Sequence, residues 1–94
     1  MAYEKRIVLR CPSGYKVALD QMVEDFLRDG VDLVAVAGKD RAKVEDIIDE
    51  LVVGTGQDPS RFLVTTSHDS FEEAIEFAHA WKTEEPSKVQ VVEL

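Results

Sequence analysis

Phe62-Leu63-Val64-Thr65-Thr66-Ser67-His68-Asp69-Ser70-Phe71-Glu72-Glu73 runs from an apolar strand, through a small polar cluster, into the start of a helix. Two other passages repeat this design: Ile7-Val8-Leu9-Arg10-Cys11-Pro12-Ser13-Gly14 and Val34-Ala35-Val36-Ala37-Gly38-Lys39-Asp40. Strands alternating with helices of about a dozen residues call for a parallel sheet with right-handed crossovers. In such a sheet the three polar turns meet at one edge, the carboxyl end of the strands, where open α/β sheets bind ligands.

Working outward, residues 5–11 read as the first strand, because Ile7, Val8 and Leu9 form the unbroken apolar run expected of a strand covered on both faces. A helix follows, starting between Tyr15 and Ala18 and ending at Asp29, with Leu19, Met22, Val23, Phe26 and Leu27 at helical spacing and Gly30 just past its end. Residues 31–37 read as the second strand. Asp40 is a candidate N-cap for a helix over 41–53, with Val44, Ile47, Ile48, Leu51 and Val52 in one stripe. Residues 61–66 read as the third strand. Ser70 and Glu73 match a capping box for a third helix reaching Lys82, which buries Phe71, Ala74, Ile75, Phe77, Ala78 and Trp81. Residues 88–94 alternate as an edge strand. The expected architecture is one α/β domain over residues 1–94, a βαβαβαβ three-layer sandwich on a four-stranded parallel sheet. The first and third strands, the most apolar, are expected at the centre, and the second and fourth, with Asp32 and Gln90, at the edges. This gives the flavodoxin-like order 2-1-3-4, which sets Cys11 and His68 on one crevice. Ile7, Val8, Leu9, Val34, Val36, Leu63 and Val64 are expected to be the most buried.

At 94 residues, 45% hydrophobic and 32% charged, the chain is globular and supports a single modest core. Nineteen acidic against eleven basic residues give a formal net charge of −8, which repels phosphate backbones and anionic membrane surfaces. Neither nucleic acid nor membrane is therefore expected as a partner. Cys11 is the one cysteine, which excludes an internal disulfide and a cysteine-rich zinc site. His68 and His79 have no further histidine or cysteine at ligand spacing, so no metal is expected. The opening residues are too short for a signal-peptide core, and no run nears the roughly 20 apolar residues of a membrane span. A cytoplasmic location is the expectation.

Two constellations carry candidate chemistry. Cys11 ends a strand and precedes Pro12-Ser13-Gly14, and a thiol facing the amides of such a turn can act as a nucleophile. Strand, Cys11 and Gly14 resemble the phosphocysteine loop of the small phosphotransferase-system IIB domains, which share this length and a four-stranded parallel sheet. That resemblance implies a phosphoryl carrier. Tyr15-Lys16 stand where that family places hydroxyl residues, and Val17 stands where the cysteine-phosphatase spacing requires arginine. The plainer reading is a small apolar residue closing a strand.

The second constellation is Thr65 to Ser70. His68 suits acid–base work near neutral pH, and Thr66, Ser67 and Asp69 beside a helix start suit an anion or small polar ligand. Helix capping alone accounts for Ser67, Asp69 and Ser70. Thr-Thr-x-His-Asp followed by an acidic amphipathic helix resembles a family of small uncharacterised bacterial domains over about residues 58–80. There an aromatic residue is expected where Ser67 stands. The resemblance implies a bacterial, cytosolic α/β domain and carries no activity. Lys39 in Gly38-Lys39-Asp40 can neutralise a bound phosphate, although each of the three also suits a plain turn. Gly54-Thr55-Gly56 follows a helix and precedes a strand, the reverse of a dinucleotide fingerprint, so no cofactor is expected.

The expected ligand-binding residues are thus Ser13, Gly14, Lys39, Thr66, Ser67, His68 and Asp69, with Cys11 and His68 as the catalytic candidates. The favoured function is a non-catalytic binding or regulatory module, with edge strand Lys88–Leu94 open to a homodimer or another protein. The alternative is a phosphoryl carrier or thiol enzyme using Cys11 with His68 as its base.

Overall fold

The structure is a computed structural model that describes residues 3–53, 63–81 and 88–94. Its elements are β1 (Arg6–Cys11), α1 (Ala18–Asp29), β2 (Leu33–Gly38), α2 (Arg41–Val53), β3 (Val64–His68), α3 (Phe71–Ala80) and β4 (Val89–Glu93). The four strands form one all-parallel sheet in the order β3-β2-β1-β4.

This order corrects the expected 2-1-3-4. β1 is central as expected, but its inner neighbour is β2, and β3 lies at the edge. The burial pattern gives the reason. Leu33, Val34, Ala35, Val36 and Ala37 are all buried, so β2 tolerates cover on both faces. Asp32, taken as a mark of an edge, lies just before the strand. All five residues of β3, Val64 to His68, are half-buried, because the strand runs through the Thr-Thr-Ser-His cluster rather than ending before it. Leu63 is buried as expected but precedes the strand, and Val64 is only half-buried. Arg61 and Phe62, the other supports for a central third strand, lie outside the described residues, as do Gly54-Thr55-Gly56 and Lys82.

Right-handed crossovers fix the layers. The steps β1 to β2 and β2 to β3 run the same way across the sheet, so α1 and α2 share one face. The step β3 to β4 runs back past β2 and β1, so α3 takes the other. Two cores result. Ile7, Leu9, Cys11, Val34 and Val36 pack with Leu19, Val23 and Phe26 of α1 and with Val44, Ile48 and Val52 of α2. Val8, Leu33, Ala35 and Ala37 pack with Ala74 and Ala78 of α3, with alanines on both sides of the contact. Arg6 is buried on the α3 side, and its Nη1 donates to the carbonyls of Ala78 (3.1 Å) and His79 (3.2 Å) at the end of that helix. Gly30 ends α1 with φ 79°, its N–H and that of Val31 donating to Leu27 and Phe26. Among the described residues, no helix is long and apolar enough to cross a membrane.

Candidate functional site

With this order, the connections leave β1 toward β2 on one side and return to β4 on the other, so the switch point lies beside the β1–α1 turn and not between β1 and β3. The expected ligand residues divide into three groups along the strand-end edge.

The first group surrounds the end of β1. The Cys11 carbonyl accepts from the N–H of Gly14 (3.2 Å), closing the turn, and from the N–H of Lys39 (2.9 Å). Odd-numbered residues of β1 face α1 and α2, so the Cys11 thiol points into that core and is fully buried. It donates to the carbonyls of Ala37 and Lys39, each at 3.4 Å. Burial pushes its pKa above the ordinary value and nearby Asp40 adds to this, while Arg41 opposes it. Ser13 and Lys39 are exposed on their loops.

His68 belongs to the second group. Val64, Thr66 and His68 pair with Leu33, Ala35 and Ala37 and share their face, the α3 side. His68 Nε2 lies 2.8 Å from Thr66 Oγ1, and its ring lies 4.9 Å from that of Phe77 in α3. Thiol and imidazole therefore lie on opposite faces of the sheet with β2 between their strands, which corrects the shared crevice expected from the order 2-1-3-4.

The third group is Ser67 with Asp69. Ser67 lines an open hollow with Asp40, Arg41, Ala42, Lys43 and Asp69 at the start of α2. The carboxylate of Asp69 pairs with Arg41 Nη2 at 2.6 Å, and both side chains are substantially exposed. Asp40 supplies its carbonyl to Val44 N–H at 2.9 Å, with a backbone φ of 54°. The expected N-cap position is thus held in the left-handed region.

A cleft of about 180 Å³ opens between the ends of β1 and β2 and the start of α3. Its wall includes Arg10, Cys11, Pro12, Gly38, Ser70 and Phe71. Arg10 stands over the Phe71 ring at 4.9 Å and pairs loosely with Glu93 at 3.7 Å. Arg10 and Phe71 were not among the expected site residues. The signal for Arg10 was its parity: it shares a face with Val8, and a charge on that face at a strand end faces the first turn of α3. Phe71, counted as core, is only half-buried.

Ser70 caps α3 as expected, accepting from Glu73 N–H at 3.1 Å with an extended backbone. Ser70→Ala should lower stability by about 0.5–2 kcal/mol, and Ser70→Gly by only a few tenths. Equal losses in paired urea melts would mean that the hydroxyl is not the cap.

A family model described as a domain of unknown function (DUF7684) matches residues 8–93. No curated protein matches the chain, and no solved structure does.

Proposed function

We propose that this chain, which belongs to the DUF7684 family, is a small non-catalytic binding or regulatory domain of the bacterial cytoplasm that acts through the carboxyl edge of its sheet. The observation that carries this reading is the state of Cys11. The thiol is sealed in the α1–α2 core, donates to two carbonyls, and faces away from His68. A nucleophilic thiol needs access, a lowered pKa and a base within reach, and the placement of Cys11 works against all three. What the edge presents outward is a surface for recognition: the Arg10 guanidinium beside the Phe71 ring, the first turn of α3, and the exposed Pro12-Ser13 and Lys39 loops.

The test is the rate of iodoacetamide modification of the native protein from pH 5 to 10, with and without phosphate. The thiol should react slowly, titrate above its reference of about 8.5, and ignore phosphate, while urea-unfolded chain reacts fast. A thiol titrating well below 8 and protected by phosphate would overturn the reading in favour of a phosphoryl carrier. The same shift sets a pH dependence. The unfolded thiol ionises first, so its contribution to stability is complete below the unfolded pKa and is lost as pH rises through the folded one.

A further inference from the structure

β4 ends the sheet, and among the described residues no strand pairs with its outer side. Along a strand, the N–H and C=O of one residue point to one side and those of the next residue to the other. Leu94 N–H donates to the Arg10 carbonyl at 2.8 Å, so Leu94 faces β1. By alternation Val92 and Gln90 also face β1, and the main-chain groups of Val89, Val91 and Glu93 point outward. Val91 pairs with the fully buried Val8 on the α3 side of the sheet, yet is itself 46% exposed. It is a large apolar side chain left open at the middle of an edge.

We propose that β4 pairs antiparallel with β4 of a second copy of this chain, across a two-fold axis at Val91, joining two sheets into one. The symmetry narrows the register. A two-fold axis normal to a sheet keeps each residue on its own face, so facing residues must differ by an even number and the axis lies midway between the two copies of one residue. Centred on Val91, the pairing sets Val91 against Val91, and Val89 against Glu93 in both directions. Every outward main-chain group of the strand then has a partner in the hydrogen-bonded pairs of an antiparallel ladder. A register centred on Gln90 sets Val89 against Val91 and leaves Glu93 without a partner within the strand.

The register itself favours a second copy as the occupant, because one strand supplies both sides of every pair. Side-chain charge adds nothing to this choice: Glu93 lies with Val91 on the α3 side, beside Arg10, and Lys88 falls on the other face. The two Val91 side chains meet on the α3 side and cover each other. The net charge of −8 on each copy opposes association, so pairing should tighten as salt screens it. This inference stands apart from what the carboxyl edge binds, because β4 pairing leaves the cleft at β1 and β2 as it is.

The experiment is sedimentation equilibrium of the intact chain at about 0.15 M salt, where screening acts over about 8 Å, on wild type, Val91→Pro and Val91→Lys. The wild type should reach twice the mass of one chain with rising concentration. Proline at 91 removes an outward N–H that the β1 ladder does not use, so it is tolerated within the chain but breaks the central pair. It should weaken association more than tenfold, about 1.4 kcal/mol, with an unchanged far-UV spectrum. Lysine at 91 keeps the backbone but sets two like charges face to face at the axis, and decides the matter if the proline variant fails to fold. A wild type that stays at the mass of one chain overturns the proposal, as does a folded variant that dimerises as tightly as the wild type.

Discussion

Gly38→Ala should be among the most damaging single-methyl changes in the chain, lowering stability by about 3 kcal/mol or more. Two effects combine, a backbone held where side chains are rarely found, worth about 1–3 kcal/mol, and overpacking, worth about 1–3 kcal/mol. Gly38 has φ 131°, a region essentially reserved for glycine. A Cβ there would lie 2.6 Å from the Cys11 carbonyl oxygen, 2.9 Å from its carbon and 3.0 Å from its nitrogen. These are backbone atoms of the register partner in β1, and the oxygen is already fixed by the Lys39 and Gly14 N–H groups. The clash therefore has no flexible side chain to push aside. Gly30→Ala provides the contrast: φ is 79°, but nothing lies within 4 Å of its Cβ position. It should cost only the left-handed penalty of about 1–2 kcal/mol. Urea melts of the two variants measure the difference, and a Gly38→Ala loss no greater than that of Gly30→Ala would show that β1 and β2 part freely at their ends.

The two glycines also mark what the sequence conveys and what it hides. Gly30 follows a helix with clear periodicity, so its role is local and readable. Gly38 looks like one residue of a common turn, because the Cys11 backbone it must clear is brought near only by strand pairing. Strand order failed for the same reason. The alternation of elements and the parallel sheet follow from local patterns, and α2 begins and ends at the expected residues, Arg41 and Val53. Order depends on which strands are covered on both faces, and that turned on two boundaries. Counting Asp32 into β2 made it look polar, and counting Phe62 and Leu63 into β3 made it look apolar. Shifted to Leu33–Gly38 and Val64–His68, the same residues read the other way.

The candidate site was legible as an edge but not as a constellation. All three polar turns do gather at the carboxyl ends of parallel strands. Which side chains meet there depends on strand order and on parity along each strand. Parity sends Cys11 to the α1–α2 face and Arg10 to the α3 face, one residue apart in sequence. The unbroken run Ile7-Val8-Leu9 hides that difference, although Val8 and Arg10 at a spacing of two already pair the outward cation with the α3 side.

Phe26→Ala should lower stability by about 3–5 kcal/mol, the range for removing a large buried aromatic ring. Phe26 is fully buried and is the bulkiest of the fully buried side chains among the described residues. It packs in the core shared by α1, α2 and the sheet, where a cavity can be filled only by moving a helix. Tyr3 closes the outer side of the site, its ring edge-to-face with Phe26 at 4.7 Å and its N–H donating to Asp29 Oδ2 at 3.0 Å. The Asp29 carboxyl is held below its ordinary pKa first by that N–H and then by Arg28, so the start of the chain is tied to the last turn of α1 at two points. This makes the Phe26 loss partly cooperative. Tyr3→Ala removes the ring contact while sparing the core, so the double variant should lose less than the sum of the single losses. The expected coupling is about 0.5–1.5 kcal/mol, the value of an aromatic pair beyond its buried area. A double-mutant cycle by urea melts measures it. Strict additivity would show that Tyr3 merely lies over α1, and a Phe26→Ala loss below about 2 kcal/mol, short of the range for a buried ring, would show that the α1–α2 core collapses onto the vacated space.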